Sequence, residues 1–148
     1  MAYQQAYSAY KETSVKTASQ GKLIVMLYDE AVRQLSMAVT LFKSNDKVAP
    51  QNIEKLHNCI VKVQDIITEL QVSLDMDKGG KIASNLMALY VFFNQQLLDA
   101  NITQNKEKII SIKEMMTQLR DAWSQASEKA SVVAPQTSQM RSSIDING

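Results

Sequence analysis

The sequence predicts an all-α protein, an antiparallel up-down-up-down four-helix bundle preceded by a short N-terminal aromatic arm or helix. Only two prolines and four glycines interrupt the 148 residues, which leaves long segments able to form helix. Four segments repeat apolar residues three and four positions apart, the spacing of one helix face. The polar loops between them have roughly 4–8 residues, and loops this short make successive helices antiparallel neighbours. We expect an arm at residues 1–18, the bundle at 19–130 and a flexible tail at 131–148.

The predicted arm carries apolar side chains in an otherwise polar segment. Tyr3, Tyr7 and Tyr10 are spaced by four and three residues, so a short helix would align their rings on one side, and Val15 follows. Three aligned rings exposed to water are unfavourable and require a docking surface. Two interpretations remain open: an arm packed permanently on the bundle, and an arm that a partner displaces.

Each of the four helices has recognisable limits in the sequence. The first begins near Thr17–Ser19, where a hydroxyl can cap free backbone N–H groups, and the second begins near Pro50. The second stops before the pair Gly79-Gly80, which also opens the third. The predicted core positions are Leu23, Leu27, Ala31, Leu35, Ala38 and Phe42; Ile53, Leu56, Ile60, Val63, Ile67, Leu70 and Leu74; Ile82, Leu86, Leu89, Tyr90, Phe93, Leu97 and Ala100; and Ile109, Ile112, Met116, Leu119, Trp123 and Ala126.

The third helix is apolar on two sides. Opposite its core positions it carries a second set of large apolar side chains, and a surface helix of a small bundle needs only one apolar face. We therefore expect a partner to cover the outer side. Two further candidates, Ile66 and Met115, have the alternative explanation that they only broaden the core. The candidate partner-binding residues are Met87, Val91, Phe92 and Leu98 on the third helix, with Ile24, Tyr28, Ile66 and Met115 as secondary candidates on the other helices.

Composition limits the class of protein. The formal net charge is +1, and no Lys/Arg block exceeds two residues, which disfavours nucleic-acid binding. One cysteine, Cys59, cannot form an internal disulfide and suits a reducing compartment. The N-terminus lacks the basic and apolar regions of a secretory signal, and no apolar run is long enough to predict membrane insertion. We expect a cytoplasmic protein.

Residues that could support catalysis occur without the partners that catalysis requires. Glu54 and His57 have the Glu-x-x-His spacing of di-iron bundles, but no second histidine exists to complete such a site. The run after Asp75 resembles a calcium loop, yet Leu86 stands where the bidentate glutamate is needed. Cys59 has no cationic neighbour in sequence to activate it. The sequence therefore predicts no metal, no cofactor and no enzymatic activity.

Several segments together resemble the flagellin export chaperones, the FliS family. They are residues 10–19 (YKETSVKTAS), residues 23–29 (LIVMLYD), Leu74-Asp75, residues 79–86 (GGKIASNL), Leu89-Tyr90, Ala100-Asn101 and residues 119–123 (LRDAW). They occur in order, with suitable gaps, across about residues 3–128. Individually such motifs are weak, but along an entire bundle they are specific.

The resemblance implies a four-helix bundle that binds the disordered C-terminal segment of flagellin, prevents its premature polymerisation and delivers it to the flagellar type III export gate. It also implies that the aromatic arm covers part of the client site and takes part in docking to the gate; Tyr7 and Tyr10 match it by position and Val15 by type. Two alternatives stay open. One is a bundle adaptor or chaperone for another secretion substrate, and the other is a metallo-bundle enzyme, which lacks ligands here.

Overall fold

The computed structural model describes the backbone of residues 20–147 and the side chains of residues 20–126. This part of the chain is helical, which confirms the all-α prediction, and the predicted arm lies outside it. A single 3-10 turn, Pro50–Asn52, precedes the second helix. The helices are α1 (Gln20–Thr40), α2 (Ile53–Ser73), α3 (Gly80–Thr103) and α4 (Lys106–Asn147).

The helices surround one hydrophobic core. α1 packs on α2 and α4, and α3 packs on the same two helices, so α1 and α3 face each other across the core. The largest fully buried side chains include Tyr28 from α1 and both Tyr90 and Phe93 from α3. Burying a large apolar side chain contributes about 1.5–3 kcal/mol, so this shared core is what holds the helices together.

The turn between α2 and α3 depends on its two glycines. Asp75 Oδ1 accepts hydrogen bonds from the backbone N–H groups of Asp77 and Lys78, at 3.1 and 2.9 Å, which folds the chain back on itself. A Cβ at Gly79 would lie 2.5 Å from the Cβ of Ala83, and Gly80 has a φ of 55°. Any other residue would be crowded at the first position and strained at the second.

The turn between α3 and α4 uses side-chain capping. Gln104 adopts the left-handed conformation, with φ 54°, and ends α3. The backbone N–H of the next residue, Asn105, bonds to the carbonyl of Ala100 at 3.1 Å, and its side chain accepts the N–H of Lys108 at 3.1 Å. The ammonium of Lys108 also pairs with the carboxylate of Asp99 on α3. The chain therefore reverses over very few residues.

Three predicted core positions are exposed. Ile53 lies in the first turn of α2 and is exposed, and so is Ala126 on α4. Ile82, in the first turn of α3, has the correct angle for the core but is 73% exposed. Periodicity reports the direction of a side chain around its helix, whereas burial also requires another helix at that height. The predictions for Ile53, Ile82 and Ala126 were therefore wrong.

The outer limits of the bundle differ from the sequence pattern. α4 has 42 residues and continues to Asn147, so its backbone is helical through 131–147, where the lack of periodicity predicts a flexible tail. The predicted N-cap at Thr17–Ser19 lies outside the described residues, and Gln20 already belongs to α1. Across residues 20–147, no helix combines the length and apolar character needed to cross a membrane.

Candidate functional site

The outer face of α3 carries a row of exposed apolar side chains, the α3 stripe, defined as Met87, Val91, Leu98 and Ile102. Val91 is 42% exposed, Leu98 55% and Ile102 73%, while Met87 is half-buried. At 100° per residue, these four positions fall within an arc of about 60°. The structure therefore keeps an apolar row on the surface along most of the length of α3, with the polar residues Asn94 and Gln95 between Val91 and Leu98.

Ile102 was missed in the sequence reasoning, which treated the helix as ending near Asn101. The signal was present, because Ile102 follows Leu98 by four residues and Val91 by eleven, both of which return to the same face. α3 continues to Thr103, so this last turn is helical and belongs to the stripe.

The stripe lies on the side of α3 that borders α2. Two polar contacts set the antiparallel register: Asn101 Nδ2 donates to His57 Nδ1 at 2.8 Å, and Gln64 Nε2 makes a long contact of 3.5 Å with the carbonyl of Asn94. Continuing this register places Val72, an exposed residue of α2, at the level of Met87. Val72 and Met87 therefore lie at the same level on neighbouring helices.

Phe92 is exposed but does not belong to the α3 stripe. It lies about 100° around the helix from Val91. Its ring contacts the buried ring of Phe93, with centroids 6.2 Å apart and planes tilted by 51°. The nearest edge of the bundle on that side is the α4 edge, where Asp99 pairs with Lys108. The structure thus brings together three of the four principal candidates, with Phe92 on a separate flank.

A cavity of about 350 Å³ opens at the end of the bundle where α1 begins. It lies between the start of α1, the end of α2, the start of α3 and the indole ring of Trp123 on α4, and its lining is mostly apolar. Gln20 is at its edge, so the predicted N-terminal arm is attached to the chain at the cavity mouth. Its apolar lining includes Ile24, Leu70, Ile82, Leu86, Tyr90 and Trp123.

Two tyrosines meet below this cavity. The hydroxyl of Tyr28 on α1 hydrogen-bonds the hydroxyl of Tyr90 on α3, and both rings are buried. Burial raises the pKa of the Tyr28 phenol far above its usual range, and the adjacent Tyr90 raises it further, while Trp123 opposes the shift. Burial also raises the pKa of Tyr90. Both groups therefore stay neutral and form a polar link between diagonally opposed helices.

The secondary candidates are placed mainly in the core. This corrects the expectation that Ile24 and Tyr28 bind a partner at the surface, and for Ile66 and Met115 it agrees with the alternative that they broaden the core. Tyr28 is 0% exposed, and Ile24 is buried with only its edge lining the cavity. Ile66 is fully buried and Met115 is half-buried against the core, so both broaden the core in this structure. The physical reason is that each helix of the bundle packs against two neighbours, which widens the face that must be apolar.

Two of the residues considered for catalysis, His57 and Cys59, lie on α2. His57 is exposed and accepts the hydrogen bond from Asn101 described above. Cys59 is buried, and burial raises the pKa of its thiol, which disfavours the reactive thiolate. Among the described residues, no three His, Cys, Asp or Glu side chains come close enough to hold a metal ion.

The chain matches the family model described as flagellar protein FliS over residues 3–130. A protein named flagellar secretion chaperone FliS from Bacillus subtilis is 30% identical over 126 residues, which cover 85% of this chain and 89% of that protein. The protein of the same name from Salmonella typhimurium is 35% identical over 121 residues, 81% of this chain and 85% of that one. A third, from Campylobacter jejuni, is 31% identical over 118 residues, 80% and 88% of the two chains. The match covers α1, α2, α3 with its stripe, and α4 as far as residue 130, and the chain belongs to the FliS family.

Proposed function

We propose that this protein is a cytoplasmic flagellar secretion chaperone that binds the disordered C-terminal region of flagellin, prevents its premature polymerisation and delivers it to the flagellar type III export apparatus. The single observation that carries the proposal is the α3 stripe, an exposed apolar row that suits an amphipathic helix laid beside α3. The names of its relatives, flagellar secretion chaperones, support the same role.

The stripe alone offers a modest binding energy. Full burial of a Val, Leu or Ile side chain is worth about 1.5–3 kcal/mol, and Val91, Leu98 and Ile102 are roughly half to three-quarters exposed. Each therefore contributes roughly 1–2 kcal/mol when covered, from which the ordering of a disordered client must be subtracted. A stable complex needs more surface than one helix face, so we infer that the client also extends beyond α3.

The bundle-end cavity is the additional apolar surface nearest to the start of α3. Ile82 lies at its edge and is largely exposed, although its direction around the helix is that of a core residue. We infer that a second chain segment covers Ile82. The segment bearing Tyr3, Tyr7, Tyr10 and Val15 is one occupant, since it is attached at the cavity mouth, and the client is the other. An arm that leaves the cavity when flagellin binds would then be free to contact the export gate.

This role requires binding and release, and no chemical step. The tyrosine hydroxyls pair with each other inside the core, and the Cys59 thiol is buried with a raised pKa. These side chains stabilise the bundle, which supports a chaperone acting by stoichiometric association.

The test is a titration of the full-length protein with a peptide of the C-terminal region of flagellin, followed by circular dichroism and calorimetry. We expect saturable one-to-one binding, an increase in helicity beyond the sum of the separate spectra, and a negative heat-capacity change from apolar burial. Absence of binding would overturn the proposal. A pull-down that retains another secretion substrate and excludes flagellin would favour a bundle adaptor for that substrate instead.

A further inference from the structure

A second cavity, of about 250 Å³, lies between α1 and α2 and shares no lining residue with the bundle-end cavity. Met37 of α1 and Leu41, which directly follows α1, provide its apolar wall, and Cys59 of α2 is buried beside it. None of its lining residues belongs to the α3 stripe. It is therefore a separate surface, which the proposed function does not use.

One lining side chain, Gln34, is buried and only half satisfied. It is 2% exposed, and its Nε2 donates a hydrogen bond to Glu30 Oε1 at 2.9 Å. The carboxylate of Glu30 fixes the direction of the amide, since the opposite orientation would face two oxygens toward each other. Gln34 Oε1 is consequently left without a hydrogen-bond partner, and Gln34 is one of the residues that line the cavity. A buried acceptor without a donor is destabilising, and a bound N–H group would supply the missing hydrogen bond.

The charged side chains at this cavity are all cationic. Lys55 and Lys62 line it and are exposed, and no acidic side chain lines it. Neither ammonium makes an ion pair within the part of the chain that the structure describes. The two lysines are seven residues apart on α2, about 10 Å along the helix axis. A ligand at this position meets positive charge at both ends and apolar side chains between them.

We propose that this cavity binds an acidic peptide segment in extended conformation. A backbone N–H of the peptide donates to Gln34 Oε1, two carboxylates pair with Lys55 and Lys62, and an apolar side chain contacts Met37 and Leu41. An extended chain offers an unpaired N–H group at every residue and side chains about 7 Å apart on one face, which the flexible lysine stems can reach. The site does not depend on the flagellin assignment, because it involves no residue of the α3 stripe.

The probe is a fluorescein-labelled peptide, SLDLELS with an amidated C-terminus, and its uncharged counterpart SLNLQLS. Fluorescence anisotropy with the full chain at low salt should show the acidic peptide binding at least about fivefold tighter than the counterpart, because two ion pairs are made. The difference should shrink as salt is added. Equal affinities, or no saturable binding of SLDLELS, would overturn the proposal.

Three measurements place the binding in this cavity. The double variant Lys55→Gln with Lys62→Gln should remove the preference for the acidic peptide, whereas the matched double variant Lys78→Gln with Lys81→Gln should keep it. Gln34→Met, which retains the length of the side chain, should lower the affinity for both peptides by about threefold or more, because the buried acceptor is gone. A retained preference in the first variant, or unchanged affinity in Gln34→Met with normal circular dichroism, would contradict the proposed contacts.

The only cysteine of the chain supplies a reporter in the unmodified protein. Cys59 lines the cavity, so bound SLDLELS should slow its reaction with N-ethylmaleimide. At a peptide concentration ten times Kd the rate should fall by about tenfold, since only the free protein reacts. Charge-dependent binding that leaves this rate unchanged would place the peptide elsewhere. Val91→Asp should affect none of these measurements, which separates failure here from failure of the flagellin proposal.

Discussion

The substitution Val91→Asp tests the proposed client surface at its centre. Val91 is 42% exposed, so an aspartate can direct its carboxylate into water and the free protein tolerates it. Valine and aspartate have similar helix propensities, and exposed substitutions usually change stability by no more than about 0.5 kcal/mol. We expect the helical circular dichroism spectrum and the melting temperature to remain close to those of the unmodified protein.

In the complex the same change is costly. The lost apolar contact is worth roughly 1 kcal/mol, scaled from about 1.5–3 kcal/mol for a complete side chain. Covering a carboxylate with an apolar client adds about 2–3 kcal/mol, because the charge loses water without gaining a partner. Together these terms predict that binding of the C-terminal flagellin peptide weakens by roughly 100-fold to 1000-fold.

The assay is calorimetric titration with the C-terminal flagellin peptide, and Asn85→Asp is the matched control. Asn85 is exposed on the same helix, about 120° around it from Val91, so this change adds the same charge outside the stripe. The control should bind like the unmodified protein. If Val91→Asp binds normally, the stripe is not the client surface; if it melts much lower, Val91 has a structural role that its exposure does not indicate.

The remaining predictions concern the bundle itself. Tyr28→Phe should destabilise the fold by about 1–2 kcal/mol in urea unfolding, because the hydroxyl of Tyr90 is left buried without its partner. The double variant Tyr28→Phe, Tyr90→Phe should lose less stability than the sum of the losses in the two single variants. Additive losses would argue against the hydrogen bond. Stability should also decline as pH rises above about 10, since burial raises the folded-state pKa of both phenols above the unfolded value and the unfolded chain loses these protons first. The double variant should show a shallower alkaline decline in the same unfolding assay, and an identical decline would assign it to other groups. Gly80→Ala should lower the free energy of unfolding by about 1 kcal/mol, because its φ of 55° strains any side chain, while an unchanged melting temperature would mean that the turn adjusts.

Local periodicity was sufficient to predict most of the architecture. The apolar positions of α2 and α4 repeat three and four residues apart, and Ile60, Ile112 and Met116 are buried as that spacing requires. The exposure of Val91 and Leu98 was predicted by the same reasoning, since both lie about 100° or more around α3 from the core positions Phe93 and Leu97. Such features depend only on the angle between residues along one helix, which the sequence contains directly.

The position of a residue along the bundle axis cannot be read from spacing within one helix, because its burial depends on where the other helices begin and end. Ile82 points toward the core and is exposed, as the first turn of α3 lines the bundle-end cavity. Tyr28, by contrast, was a surface candidate and is completely buried, because α3 lies across the core from α1 and supplies Tyr90 as its partner. No spacing within either helix contains that pairing.

The amino-acid sequence by itself determined the helices, their antiparallel order, the apolar row on the outer side of α3 and the family to which the chain belongs. Only the tertiary structure decided that Tyr28 meets Tyr90, that Ile82 is exposed at the bundle-end cavity, and that Gln34, with an unpaired Oε1, lines a cavity together with two lysines. Helix formation follows from contacts a few residues apart, whereas burial and hydrogen-bond satisfaction are set by residues distant in sequence that packing brings together.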